Sequence, residues 1–139
     1  MPYPEPLVAP MRAELTRIGA DELRTAADVD TAVRDTRGTL LIVVNSICGC
    51  AAGKARPGLA AALAHAVHPD RVGTVFAGAD VEATDRARSY FSGYPPSSPS
   101  MGLLRDGRLV WMLERRQIEP RSADEIAALL TAAFDEHCA

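Results

Sequence analysis

Thr39-Leu40-Leu41-Ile42-Val43-Val44-Asn45-Ser46-Ile47-Cys48-Gly49-Cys50-Ala51-Ala52-Gly53-Lys54-Ala55 decides the fold. Its first seven residues form an apolar, β-branched run, the pattern of a strand buried on both faces. From Ala51 to Leu63 the chain is rich in alanine and reads as a helix. Two thiols therefore stand where a strand ends and a helix starts. Such a junction offers unpartnered backbone N–H groups and the positive end of a helix dipole, and both favour thiolate over thiol. A cysteine used only for packing gains nothing from that place; a nucleophilic one gains acidity.

Upstream, residues 1–8 are proline-rich and are expected to lie extended on the surface. Pro10 suits the first turn of a helix that faces Met11, Leu15 and Ile18 inward and stops at Gly19. Glu22-Leu23-Arg24 reads as a short strand. Thr25 with Asp28 resembles a capping box for a helix reaching Val33 and ending near Gly38. Downstream, the helix after the thiols is predicted from about Cys50 to His65, kinked by Pro57. A strand over Arg71 to Ala77 and a helix over Glu82 to Phe91 follow, and Gly93 to Pro99 is irregular. Ser100 to Leu104 and Arg108 to Leu113 flank Asp106-Gly107, a strong hairpin signal. Ser122 and Glu125 make a second capping box, opening a helix with Ile126, Leu129, Leu130 and Phe134 on one stripe. Alternating strands and helices imply a parallel portion, and the hairpin adds an antiparallel one. The predicted fold is one α/β domain over residues 1–139, a mixed central sheet with helices on both faces.

The bulk properties narrow the function. A chain of 139 residues that is 47% hydrophobic and 24% charged has an ordinary globular composition. A net charge of −3 with interspersed signs gives no basic patch for nucleic acid or for an anionic membrane. The apolar run Leu40 to Val44 is far too short to cross a bilayer, and Met1-Pro2-Tyr3-Pro4-Glu5 lacks the features of a signal peptide. Three cysteines, odd in number and sparse, do not make a disulfide framework. A reduced, cytoplasmic protein is expected.

The one-residue spacer limits what the thiols can do. A Cys48–Cys50 disulfide closes a smaller ring than a two-residue spacer allows, and side chains at i and i+2 of a helix diverge. Bonding needs Cα atoms within about 6.8 Å and a torsion near 90°. Gly49 is the residue type that can absorb the turn. Strain in the ring makes the bond easy to reduce, which is the profile of a catalytic disulfide. Cys48, in the loop ahead of the helix, is expected to be the more exposed and to attack; Cys50, in the first turn, is expected to resolve. Lys54 and Arg56 can lower either pKa, although solvated cations are the commoner case on a helix.

Other readings compete. The pair can pack as two small apolar residues, or join a structural zinc site, which wants four ligands. His137-Cys138 would have to complete that set, yet adjacent helical residues diverge by about 100°. His65 and His68 are spaced i, i+3, but His68-Pro69 reads as a helix end. No metal site is therefore predicted. Cys138, next to the C-terminal residue, is expected to be frayed and exposed. Tyr90, Phe91 and Trp111 are expected in the core and Tyr94 beside a substrate groove. Arg115 and Arg116 follow the last strand, where a solvated pair is commoner than a site for an acidic group. A non-catalytic module that holds a partner or a metal is the rival from another class.

Asn45-Ser46-Ile47-Cys48-Gly49-Cys50-Ala51-Ala52-Gly53-Lys54-Ala55-Arg56-Pro57 closely resembles the active-site motif of the bacilliredoxins, a thioredoxin-like family. The resemblance continues in Tyr94-Pro95-Pro96-Ser97-Ser98-Pro99-Ser100, in Asp106-Gly107, in Arg115 to Glu119 and in Arg121 to Ile126. It implies a thioredoxin-like fold and a thiol–disulfide oxidoreductase acting on mixed disulfides between proteins and a low-molecular-weight thiol, with general reductase or isomerase activity a related outcome. Bacillithiol or an equivalent would be the co-substrate, S-thiolated client proteins the partners, and no metal or organic cofactor would be bound. The attacking role falls on Cys48 and the resolving role on Cys50. Sequence alone makes the Ser98–Pro99 bond trans; the resemblance implies a cis bond beside the thiols, with the Ser98 backbone binding an extended substrate segment. The family pattern carries histidine where Arg116 stands and glycine where Pro120 stands. Arginine stays protonated, so proton transfer from that position is not expected.

Overall fold

The computed structural model describes residues 2–139. Among them, β1 (Asp21–Glu22), β2 (Thr39–Asn45), β3 (Arg71–Phe76), β4 (Ser100–Arg105) and β5 (Arg108–Leu113) form one sheet in the order β1-β3-β2-β4-β5. β3 runs parallel to both β1 and β2, whereas β4 is antiparallel to β2 and β5. The mixed sheet expected from the alternation of elements is therefore present, with β2 at its centre.

Every residue of β2 is buried, and its side chains alternate between two cores. Leu41 and Val43 meet Leu15 of α1 (Glu5–Thr16), Leu59 of α3 (Arg56–Leu63), and Ile126, Leu130 and Phe134 of α6 (Ala123–His137). Leu40, Ile42 and Val44 meet Val29 of α2 (Ala26–Asp35), Ala83 and Ala87 of α4 (Val81–Ser89), and Phe91. A bulge at Val110 makes Leu103 face Trp111 and Leu104 face Leu109. That extra residue lets Leu109 and Trp111 pack against opposite cores although they are two positions apart. The Asp106-Gly107 turn has φ of 49° and 82°, the positive pair that a tight hairpin requires.

Both capping boxes are present: Thr25 Oγ1 accepts from the Asp28 amide at 3.0 Å, and Ser122 Oγ from the Glu125 amide at 3.1 Å. Each such cap is worth about 1 kcal/mol. Three expectations need correction. Residues 1–8 are not all extended, because α1 starts at Glu5 with Pro6 in the first turn, where a missing N–H forfeits no bond. Pro10 consequently lies inside α1 rather than at its start. The helix after the thiols opens as a π-helical turn, Ala51–Ala55, in which the Arg56 amide reaches back to Ala51 O. The widened turn relieves the clash of the Pro57 ring with the carbonyl four residues earlier, so α3 continues through Pro57. A short α5 (Arg115–Ile118), not foreseen, is capped by Glu114 and Gln117. No helix among the described residues is long and apolar enough to cross a membrane.

Candidate active site

β2 ends at Asn45, and the chain turns through Ser46 to reach the thiols. Asn45 Oδ1 accepts from the Ser46 amide at 2.9 Å, and Ser46 Oγ accepts from the Cys48 amide at 3.0 Å. Beneath this turn lies Arg56, only 4% exposed, donating Nη1 to Asn45 Oδ1 at 3.0 Å and to Ser46 O at 2.9 Å. Its Nε sits 3.2 Å from Glu14 Oε2, close enough for an ion pair but off-axis for a hydrogen bond. Arg56 is thus not a solvated cation beside the sulfurs; it fixes the path of the chain into them.

Cys48 and Cys50 are both half-buried free thiols, so the structure shows the dithiol state. The Cys50 amide donates to Cys48 Sγ at 3.4 Å. That backbone N–H, with Arg115 nearby, holds the Cys48 pKa below the ordinary thiol value. Burial, reinforced by the neighbouring Cys48 sulfur, pushes the Cys50 pKa up. The two sulfurs are therefore unequal, Cys48 the more acidic and Cys50 the less. The Ala51 and Ala52 amides donate to Cys48 O, at 2.9 and 3.2 Å, and the Ala51 amide adds a smaller lowering at the Cys48 sulfur.

The Ser98–Pro99 bond is cis. Arg115 ties this loop to the thiols. Its amide donates to Ser97 Oγ at 3.4 Å, its Nη1 to Ser98 O at 3.2 Å, and its Nε to Glu119 Oε1 at 2.5 Å. It is near enough to both sulfurs to act on their charge. On the other side, Arg88 Nη2 donates to Ser97 O at 3.3 Å. Lys54 donates to Glu119 O and so caps the end of α5 rather than meeting the thiols. Among the residues anticipated, Cys48, Gly49, Cys50, Ser98 and Pro99 belong to one neighbourhood, and Arg115 joins them. The Glu114-to-Gln117 capping spacing was the available signal for the helix that carries it.

One expected placement changes. Cys138 is not frayed: its amide donates to Phe134 O at 2.7 Å, and its side chain packs against the core beside Thr39. Thr39 opens β2 and Cys48 lies beyond its other end, with about 20 Å of strand between Thr39 and Asn45 at the usual rise. Cys138 thus cannot share a metal with the pair. Among the described residues, no three His, Cys, Asp or Glu side chains converge as a metal site. Tyr90 donates its hydroxyl to Asp30 at 2.6 Å, Phe91 is buried against Gly102, and Tyr94 is exposed.

A family model described as disulphide isomerase matches residues 3–138. A bacilliredoxin from Koribacter versatilis is 65% identical over 98% of this chain and 94% of its own length. One from Bacillus licheniformis is 50% identical over 98% and 95% respectively. Among solved structures, Fasciola hepatica thioredoxin superposes with a TM-score of 0.59 at 18% identity, covering 84% of this chain and 98% of its own. Mitochondrial thioredoxin 3 of Saccharomyces cerevisiae, in oxidized form, gives 0.56 at 18%, covering 88% and 98%. The fold is thioredoxin-like.

Proposed function

The chain belongs to the bacilliredoxin family of thioredoxin-fold thiol oxidoreductases, and from that premise we propose that it strips low-molecular-weight thiols from S-thiolated proteins through Cys48. The Cys48 thiolate attacks the small-thiol sulfur of the mixed disulfide. A Cys48–small-thiol disulfide forms, and the client leaves as a thiolate that takes up a proton. Cys50 then loses its proton and attacks Cys48 Sγ, releasing the small thiol and closing the Cys48–Cys50 disulfide. Alternatively, a second small thiol attacks the adduct and leaves as the small-thiol disulfide. In either route a thiol reductant, bacillithiol or an equivalent, supplies the two electrons that the client consumes. No bound metal or organic cofactor takes part.

The observation that carries this reading is the Cys50 N–H aimed at Cys48 Sγ, which lowers the pKa of that sulfur while burial raises the pKa of Cys50. The cis Ser98–Pro99 loop, joined to the thiols through Arg115, supplies a backbone edge for an extended client segment. The test is turnover of a model thiolated protein. Cys48→Ser is expected to abolish turnover, and Cys50→Ser, with no free small thiol supplied, to stop with the small thiol on Cys48, visible by intact mass. Turnover by Cys48→Ser removes the assignment. Unreactive thiols with stoichiometric bound zinc in the purified protein favour the non-catalytic rival.

A further inference from the structure

α5 carries Arg115 to the thiols, yet it is too short to hold itself there. One turn of four residues has no independent stability in water. Its N-terminal end is closed by the Glu114 and Gln117 capping box, and Ile118 is wholly buried in the core shared with α6. Apolar packing around one side chain is non-directional, so it fixes where the turn sits and leaves its rotation open. The last carbonyls of a helix lack intrahelical partners and can supply that missing direction. Arg121, two residues past the end, takes Gln117 O at 2.6 Å through Nη1 and Ile118 O at 3.1 Å through its amide. Glu119 O goes to Lys54 Nζ, which comes from the helix that carries the thiols.

Lys54 reaches Glu119 because the turn it occupies is π-helical. Ala51–Ala55 holds one residue more than an α-turn would, and an added residue rotates what precedes it by about 100° relative to the helix that follows. The ammonium takes a main-chain oxygen rather than a carboxylate, which is the behaviour of a cap. A cation also suits the negative end of the α5 dipole. The rest of the tie is equally directional. Glu119 Oε1 accepts from Arg115 Nε at 2.5 Å, while Arg115 donates Nη1 to Ser98 O at 3.2 Å and its amide to Ser97 Oγ at 3.4 Å. A chain of polar bonds thus runs from the thiol helix through Lys54, Glu119 and Arg115 to the loop before the cis bond. Both sulfurs lie within reach of the Arg115 charge.

We propose that Lys54 is a positioning residue for Cys48: by pinning the end of α5 to the helix that carries the thiols, it keeps the Arg115 guanidinium at the Cys48 sulfur and the Ser98 carbonyl at once. Lys54 acts through α5 and not by its own charge on sulfur, because its ammonium is spent on Glu119 O. The inference rests on the reading of Cys48 as the attacking thiol and adds a residue that sets its reactivity. It does not depend on which disulfide is the substrate.

The test reads Cys48 alone, by iodoacetamide alkylation and peptide mapping of the reduced full chain across pH in low salt. Lys54→Met keeps the length of the side chain and removes the donor. It is expected to raise the alkylation midpoint of Cys48 and to slow the reaction at neutral pH about two- to fivefold, the scale of one weakened surface charge interaction. Lys54→Arg, which can still donate to Glu119 O, is expected to lie closer to wild type than Lys54→Met. Combined with Arg115→Gln, Lys54→Met is expected to change nothing further, because the charge it positions is gone. Equal slowing with and without Arg115 would make Lys54 a direct charge on the sulfur and overturn the proposal. An unchanged midpoint in Lys54→Met would reduce the residue to a cap of α5, whatever urea unfolding shows, and overturns it as well. A second measurement needs no sulfur chemistry: exchange of the Arg115 Nε–H with water, followed by NMR, is expected to quicken in Lys54→Met. An unaltered exchange rate would show that Lys54 does not hold Arg115. Failure of the wild type to turn over a thiolated protein removes the enzymatic reading and leaves these results to stand.

Discussion

The backbone N–H of Cys50 points at Cys48 Sγ across 3.4 Å, so the main chain of one cysteine holds the charge of the other. A single-residue spacer makes this contact local: the turn that brings the two residues together also aims the amide. Their acidities separate as a consequence, Cys48 downward and Cys50 upward.

Alkylation by iodoacetamide, followed by peptide mapping across pH, should give Cys48 a midpoint below the ordinary thiol value of about 8.5 and Cys50 one above it. Cys138, raised by burial, should react slowest at neutral pH. Stability follows by linkage. With its folded pKa below the unfolded one, Cys48 binds fewer protons in the native state across that interval. Its contribution to the reduced protein therefore grows as pH rises toward the ordinary thiol range and is lost as pH falls through the folded value. Cys50 acts oppositely, its contribution complete below the unfolded value and lost as pH rises through the folded one. Urea unfolding of reduced wild type against Cys48→Ala should show a difference that widens with pH and then levels.

Arg115 adds charge to the same sulfur and grips Ser98 O at 3.2 Å. Arg115→Gln should slow Cys48 alkylation at neutral pH by roughly three- to tenfold in low salt, with the gap narrowing as ionic strength rises, because a surface charge is screened. Arg115→Lys restores the charge without the planar fork that serves Ser98 and Glu119 together, so it should recover alkylation better than client turnover. Identical low-salt rates for wild type and Arg115→Gln would remove the arginine from the account.

Arg56 supports the turn from below, and its loss should register as instability before it registers as chemistry. Arg56→Met removes the partner of Ser46 O in a site where Ser46 is itself buried. An orphaned buried acceptor costs about 1–3 kcal/mol. Glu14 is the more exposed end of the pair, with 44% of its side chain accessible, so Glu14→Gln should cost under about 1 kcal/mol. Urea titration of the two variants measures the contrast, and equal losses would mean that the ion pair, not the hydrogen bonds, matters.

What the sequence disclosed and what it hid follow one physical division. β2, both capping boxes and the Asp106-Gly107 turn depend on neighbours within four residues, and their patterns were legible. Arg115 meets Ser98 and Arg56 meets Ser46 and Asn45 only after the strands have paired, so neither role has a local signature. Lys54 looked like a thiol neighbour by spacing, but the π-helical turn swings it to Glu119. Cys138 looked frayed by position, yet α6 closes with its amide bonded to Phe134. The start of α1 at Glu5 was missed for another reason: three prolines in the first six residues obscured that Pro6 costs nothing in a first turn.

Gly58 sets how closely the helix behind the thiols approaches α6. A Cβ there would lie 2.8 Å from Ile126 Cγ2 and 3.0 Å from Ala123 O, the latter a backbone atom that cannot rotate away. Overpacking of this kind costs about 1–3 kcal/mol. Alanine regains up to about 1 kcal/mol of that in helix propensity over glycine, so Gly58→Ala should remain net destabilising. Ile126→Leu removes the methyl nearest the new Cβ at similar volume. The double variant should therefore lose less than the sum of the two single losses. Strict additivity in urea unfolding would show that Ala123 O alone sets the approach, and a stabilised Gly58→Ala would show that α3 and α6 can part without cost.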